Sequence, residues 1–178
     1  MNRTAPNIPS IIVLTGASGA GKTSLIVKLN ELAIPGVEGI NCDRVTVVIP
    51  ENAEPGDRQA AILSYWIEKL RKERVELAVL DTQIRPHLAQ EVLDDASVAH
   101  SRIVLVDCDP AIRNERLRAE RQQPELANAQ MDCWAAYLRG QADALGLSII
   151  HTGVASLEES LKTLEAIVRD LSDQATAV

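Results

Sequence analysis

Two apolar patterns alternate along the chain. Short runs rich in Ile, Val and Leu lie between longer segments whose apolar positions recur three and four residues apart. The runs at 11–15, 37–41, 75–80, 103–106 and 147–150 predict five strands, and their near-continuous apolarity is that of strands buried on both faces. Between them the helical spacing predicts a helix from about 22, with Leu25, Ile26, Leu29 and Leu32 inward and Pro35-Gly36 as its stop. A second covers 57–74 with Ile62, Leu63, Trp66, Ile67 and Leu70 on one face. A third runs from Pro86 to 96 with Leu88, Val92 and Leu93 inward.

Asp109-Pro110 supplies a cap and first-turn proline for an arginine-rich helix over 111–122, and another follows over 125–145. Ser156 and Glu159 have capping-box spacing and open the last helix. Residues 45–49 read as a loop or edge segment, since Pro50, Asn52, Pro55 and Gly56 break the pattern at once. Strand and helix in alternation predict an α/β architecture, a parallel sheet covered by helices on both faces. With 178 residues, one domain is expected.

The first loop carries the chemistry. Gly16-Ala17-Ser18-Gly19-Ala20-Gly21-Lys22-Thr23 has the GxxxxGK[ST] spacing between a predicted strand and a predicted helix. Its glycines let successive amides turn inward on phosphate oxygens, the helix terminus adds a favourable dipole, and Lys22 adds a point charge. The Thr23 hydroxyl stands where Mg²⁺ requires a hard oxygen ligand. Asp81 ends an apolar strand, the place of an acid that holds magnesium directly or through water. ATP and Mg²⁺ are the cofactors these residues imply.

Composition narrows the partners. A net charge of −7 disfavours polyanions, and 2% aromatics with no Phe disfavours stacking of single-stranded nucleic acid, so none is expected. Thirteen of the eighteen basic residues are arginine, whose planar fork matches phosphate. The three cysteines form no CxxC, and His87, His100 and His151 have no metal-ligand spacing. No signal peptide or membrane-length apolar run is evident, so a cytoplasmic protein is expected. Trp66 and Trp134 read first as core residues of amphipathic helices, with a pocket wall as the alternative.

A GTPase needs a guanine-specifying NKxD and a transporter-type ATPase its own signature segment; neither is present. Phosphoryl transfer to a small acceptor remains by elimination. On these residues the chain resembles the small P-loop kinases of the nucleoside-monophosphate, shikimate and gluconate kinase group. Asp43 with residues 45–50, the stretch Asp81-Thr82-Gln83-Ile84-Arg85-Pro86, and residues 115–127 through to Trp134 look like a bacterial set of kinase-like ATP-binding proteins without an assigned substrate.

The resemblance implies a three-layer P-loop NTPase fold with a five-stranded parallel sheet, an acceptor-binding insertion at about 43–74 and a short arginine-bearing lid at about 112–125. It further implies that Asp43 faces the acceptor hydroxyl, that Arg44, Arg58 and Arg85 pair with an anionic acceptor, and that Thr152 and Gly153 touch adenine. The lid arginines would be catalytic, but Glu120 stands where RLxxR has its second arginine, leaving Arg116 and Arg121 as the nearest pair. An exposed helix laced with charges from Arg113 to Glu120 is the alternative. For the whole chain, the alternative to a kinase is an ATP-binding switch with slow turnover and no acceptor.

Overall fold

In the computed structural model, which describes residues 9–45, 54–73 and 75–177, the five expected strands form a single sheet. They are β1 (Ser10–Thr15), β2 (Val37–Asn41), β3 (Leu77–Asp81), β4 (Ser101–Asp107) and β5 (Ser148–His151). The order is β2-β3-β1-β4-β5 and every pairing is parallel. All residues of β1 and β3 are buried, which is why these strands read as unbroken apolar runs rather than as alternating ones.

Helices α1 (Lys22–Glu31), α2 (Pro55–Leu70), α3 (Pro86–Asp95), α4 (Pro110–Glu115), α5 (Ala129–Leu145) and α6 (Leu157–Thr176) cover the two faces. Successive strand residues point to opposite sides. Ile12 and Leu14 therefore pack with Leu25 and Leu29 of α1 and with Leu164 and Val168 of α6. Ile11 and Val13 pack with Leu63 and Ile67 of α2 and with Ala89 and Leu93 of α3, where Trp66 is buried as expected of a core residue. Leu138 and Ala142 seat α5 on Leu105. No helix among the described residues is long and apolar enough to cross a membrane.

Several boundaries differ from the sequence reading. Leu32 follows the last turn of α1 as its C-cap and is exposed rather than inward. α2 starts at Pro55, two residues early, because Glu54 and Asp57 form a capping box; it ends at Leu70, and Arg74 lies outside the described residues, as do 46–53. Leu88 is only half-buried, with Ala89 taking the inner position. The predicted helix over 111–122 is α4 followed by a π turn, Arg116–Glu120. A 3₁₀ turn, Pro124–Leu126, then delays α5 to Ala129, where the Asn128 side chain accepts from the Met131 amide.

Parallel register sets Leu14 and Asn41 level with Asp81, so β1, β2 and β3 end at one edge. The strand order reverses at β1, between β3 and β4. Ligands of open α/β sheets lie outside the strand carboxyl ends at such a switch point.

Candidate active site

Residues 16–23 leave β1 at that switch point and enter α1. Gly16 has φ of 152°, and a Cβ there would lie 2.3 Å from the Val106 carbonyl oxygen. The loop can hug the end of β4 only without a side chain at this position. At Gly19, φ is 81° and a Cβ would lie 2.9 Å from Arg113 Cγ and from Leu117 Cγ, so the α4 segment packs directly on the loop backbone.

Lys22 is buried and donates from Nζ to the carbonyls of Gly16 (2.7 Å) and Ala17 (3.2 Å). Its ammonium lies 4.0 Å from Asp81 Oδ1, and Thr23 Oγ1 donates to Asp81 Oδ2 at 2.8 Å. Burial pushes the Lys22 pKa down, against the attraction of Asp81 and Asp43. Burial pushes the Asp81 carboxyl up, offset by Lys22 and the Thr23 hydrogen bond. Two hard oxygens, those of Thr23 and Asp81, thus sit together beside a phosphate-binding loop, a donor set that fits Mg²⁺.

Asp43 lies in a 3₁₀ turn, Cys42–Arg44, which Asn41 caps by accepting from the Asp43 amide at 3.0 Å. The carboxylate is exposed, and its charge acts on both Lys22 and Asp81. Arg44 ends the same turn. Burial pushes the neighbouring Cys42 thiol well up, leaving an inert core cysteine.

Across the loop, Arg116, Glu120, Arg121 and Thr152 join Gly19, Gly21 and Lys22–Ser24 in lining a cleft of about 360 Å³. The π turn answers the spacing problem: the Arg121 amide donates to the Arg116 carbonyl at 3.0 Å, an i→i+5 closure that admits one extra residue. Arg121 thereby reaches the cleft wall that Arg116 occupies, and its charge acts on Lys22 and Asp81. Arg116 is held elsewhere on that wall, donating to Thr152 Oγ1 (3.1 Å) and the Thr152 carbonyl (2.8 Å). Thr152 Oγ1 in turn donates to the Ala20 carbonyl at 2.5 Å, tying the β5–α6 loop to the phosphate loop. A Cβ on Gly153 would lie 3.1 Å from the Asp109 amide nitrogen, so this loop closes tightly over the junction of β4 and α4.

The substrate-side arginines separate. Arg58 is exposed on α2 and lines neither cleft. Arg85 caps α3 and lines a second groove of about 710 Å³ with Gln83, Asn128, Trp134 and Tyr137. Trp134 is half-buried, packed against the cluster of Leu105, Leu138 and Ala142 as the core reading expects, and also lines the groove as the alternative expects. Arg118 donates to the Ala127 carbonyl at 3.4 Å. Arg113 is buried and ion-paired to Asp132, so the segment is not simply a charged surface helix. Arg113 shares the i, i+4 face of Leu117, but so does Arg121, so the sequence does not mark Arg113 as the buried one.

No protein-family model matches the chain, and no curated protein matches its sequence. Solved structures do. A gluconokinase from Sinorhizobium meliloti aligns over 96% of this chain and 98% of its own, with TM-score 0.61 and 17% identity. A shikimate kinase from Acinetobacter baumannii, in complex with shikimate, aligns over 92% and 96% with TM-score 0.59 and 19% identity. The chain has the small P-loop kinase fold. An APS kinase from Mycobacterium tuberculosis, in complex with AMPPNP and APS, aligns over 92% and 99% with TM-score 0.55 and 17% identity. These kinase folds match this chain nearly end to end.

Proposed function

We propose that the protein is an ATP-dependent kinase that transfers the γ-phosphoryl group to a hydroxyl or phosphate of a small acceptor. The observation that carries this reading is the second acid. Asp81, bonded to Thr23, accounts for the magnesium side of the loop, and Asp43 adds an exposed carboxylate whose field reaches the same Lys22. A binding switch has no need of it.

The backbone of residues 16–21 and the Lys22 ammonium would hold the β- and γ-phosphates of ATP. Thr23 and Asp81 would hold Mg²⁺, which supplies charge neutralisation on the phosphate oxygens. Arg121 would offset charge developing on the transferring group, while Arg116, held on Thr152, and Gly153 would shape the adenine end. The acceptor oxygen forms its bond to Pγ as the bond from Pγ to the bridging oxygen breaks and ADP leaves. Asp43 orients the acceptor hydroxyl and takes its proton late in a loose transition state. Where the acceptor group is already a phosphate, Asp43 has no proton to take and acts by position alone.

A panel of sugar acids, nucleosides, nucleotides and aromatic acids, offered with ATP and magnesium, tests this by acceptor-dependent ADP release. Asp43→Asn is expected to lower kcat on a hydroxyl acceptor by about 10²-fold or more, the range of a lost general base, with ATP affinity retained. Lys22→Ala is expected to lose both. ATP binding without ADP release on any acceptor, and indifference to Asp43→Asn, would sink the kinase reading in favour of a nucleotide-dependent switch.

A further inference from the structure

The groove at Arg85 joins a cation to an aromatic wall. It lies between the loop following β3 and the start of α5, lined by Gln83, Arg85, Asn128, Gln130, Trp134 and Tyr137 among others. None of its lining residues is acidic, on a chain of net charge −7, and Arg85 has no ion-pair partner among the described residues. Its guanidinium carbon sits 5.9 Å from the Trp134 ring centre.

The four aromatics form two pairs: Tyr65 and Trp66 meet edge to face on α2 beside Lys69, and Trp134 and Tyr137 meet on α5 beside Arg85, where they line the groove. The chain has two Trp, two Tyr and no Phe, and its core is aliphatic but for Trp66. Trp134 and Tyr137 nevertheless stack on each other, ring centres 5.5 Å apart and planes at 22°, with Tyr137 43% exposed. Two of four aromatic side chains are thus spent on an open wall beside a cation. A flat ring stacks on such a wall, and an anionic substituent meets Arg85. Gln83 completes the placement: its Oε1 faces Ser18 Oγ at 3.5 Å, so the groove opens beside the phosphate loop, two residues beyond Asp81.

We infer that this groove seats the acceptor, and that the acceptor is a flat aromatic ring bearing an anionic group, carboxylate or phosphate. The ring lies on Trp134 and Tyr137, the anion pairs with Arg85, and the reacting group points past Gln83 toward the nucleotide. The inference rests on the kinase reading only for the word acceptor; the binding chemistry stands apart from transfer.

Two readouts are built into the groove. Cys133 lines it and is the exposed cysteine, Cys42 and Cys108 being buried, so a ligand should slow Cys133 modification by a thiol reagent. Trp66→Phe leaves Trp134 as the sole tryptophan, whose fluorescence a stacked ring should quench. The probes are 3-hydroxybenzoate and GMP as flat anions, gluconate and inorganic phosphate as non-planar anions, and guanosine as a flat neutral molecule. Flat anions are expected to quench and protect, and Arg85→Gln and Trp134→Leu each to weaken protection of Cys133 roughly tenfold or more, leaving ATP affinity within about twofold.

Protection by 3-hydroxybenzoate alone assigns a carboxylate, and protection by GMP alone a phosphate. Gluconate protecting where both flat anions fail, or no probe protecting in protein that binds ATP, overturns the inference. Flat-anion binding without ADP release keeps the site and removes the kinase reading.

Discussion

Arg113 packs its side chain on Gly19 of the phosphate loop and is 1% exposed. Its Nη2 is bonded to Asp132, while Nε and Nη1 have no hydrogen-bond partner among the described residues. The ion pair is lopsided, because Asp132 retains 39% of its side-chain exposure and can be hydrated alone, whereas Arg113 cannot. Removing the acid therefore leaves a buried, uncompensated cation, at about 3 kcal/mol or more; replacing the cation by an apolar side chain of like length is close to neutral. In urea unfolding, Asp132→Ala should lower the midpoint well below that of Arg113→Met. Equal losses from the two variants would mean that the pair, and not the buried charge, sets the stability. Arg113 shows what residue type alone hides. Four arginines fall within nine positions, and since Arg113 and Arg121 each stand four residues from Leu117, spacing alone does not single out the inward one.

The same segment carries the proposed charge stabilisation at the scale of the element. Closure from Arg121 to Arg116 through a π turn brings the second arginine to the cleft across five residues where a regular helix would need four. If this register is what matters, deleting Ala119 should convert the turn to α-helix and return the arginine to the fourth position. ATP affinity should then stay within about threefold, since the contact survives. Inserting a second alanine after Ala119 rotates Arg121 by about 100° and should cost roughly tenfold or more, the loss of a charge-assisted contact. Calorimetric titration with ATP separates the two; equal damage from deletion and insertion would show that the register is irrelevant. The strands were legible because burial on both faces leaves an unambiguous apolar run. The π turn was not, since one inserted residue preserves the apolar spacing on either side, and the late start of α5 depends on Asn128 capping Met131, which competed with an equally plausible start at Pro124-Glu125.

The molecule as a whole joins a site that is contiguous in sequence to one that is not. Gly16–Thr23 is readable because its donors are consecutive residues at a strand–helix junction. The Arg85 groove joins residues some forty positions apart, and no motif marks it. At their junction lie Lys22 and Asp81, charges buried at the switch point of the sheet, and burial links their titration to global unfolding. Holding the Asp81 carboxyl above its usual value of 3.8 means that the folded protein keeps a proton the unfolded chain has released. Its contribution to stability is thus greatest below the unfolded value and declines as pH rises through the raised folded value. Lys22, lowered from 10.5, works in the opposite sense, since stability from its proton release rises with pH up to the unfolded value. Comparing wild type with Asp81→Asn cancels the other carboxylates. The stability difference, wild type minus variant, should fall as pH rises from about 4 toward neutrality, read from denaturant midpoints of the nucleotide-free protein. A difference that grows with pH would mean that Lys22 and Thr23 outweigh burial and make Asp81 a stabilising ion pair. The variant should also lose the magnesium-dependent part of ATP binding, which titration with ATP in the presence and absence of magnesium would read.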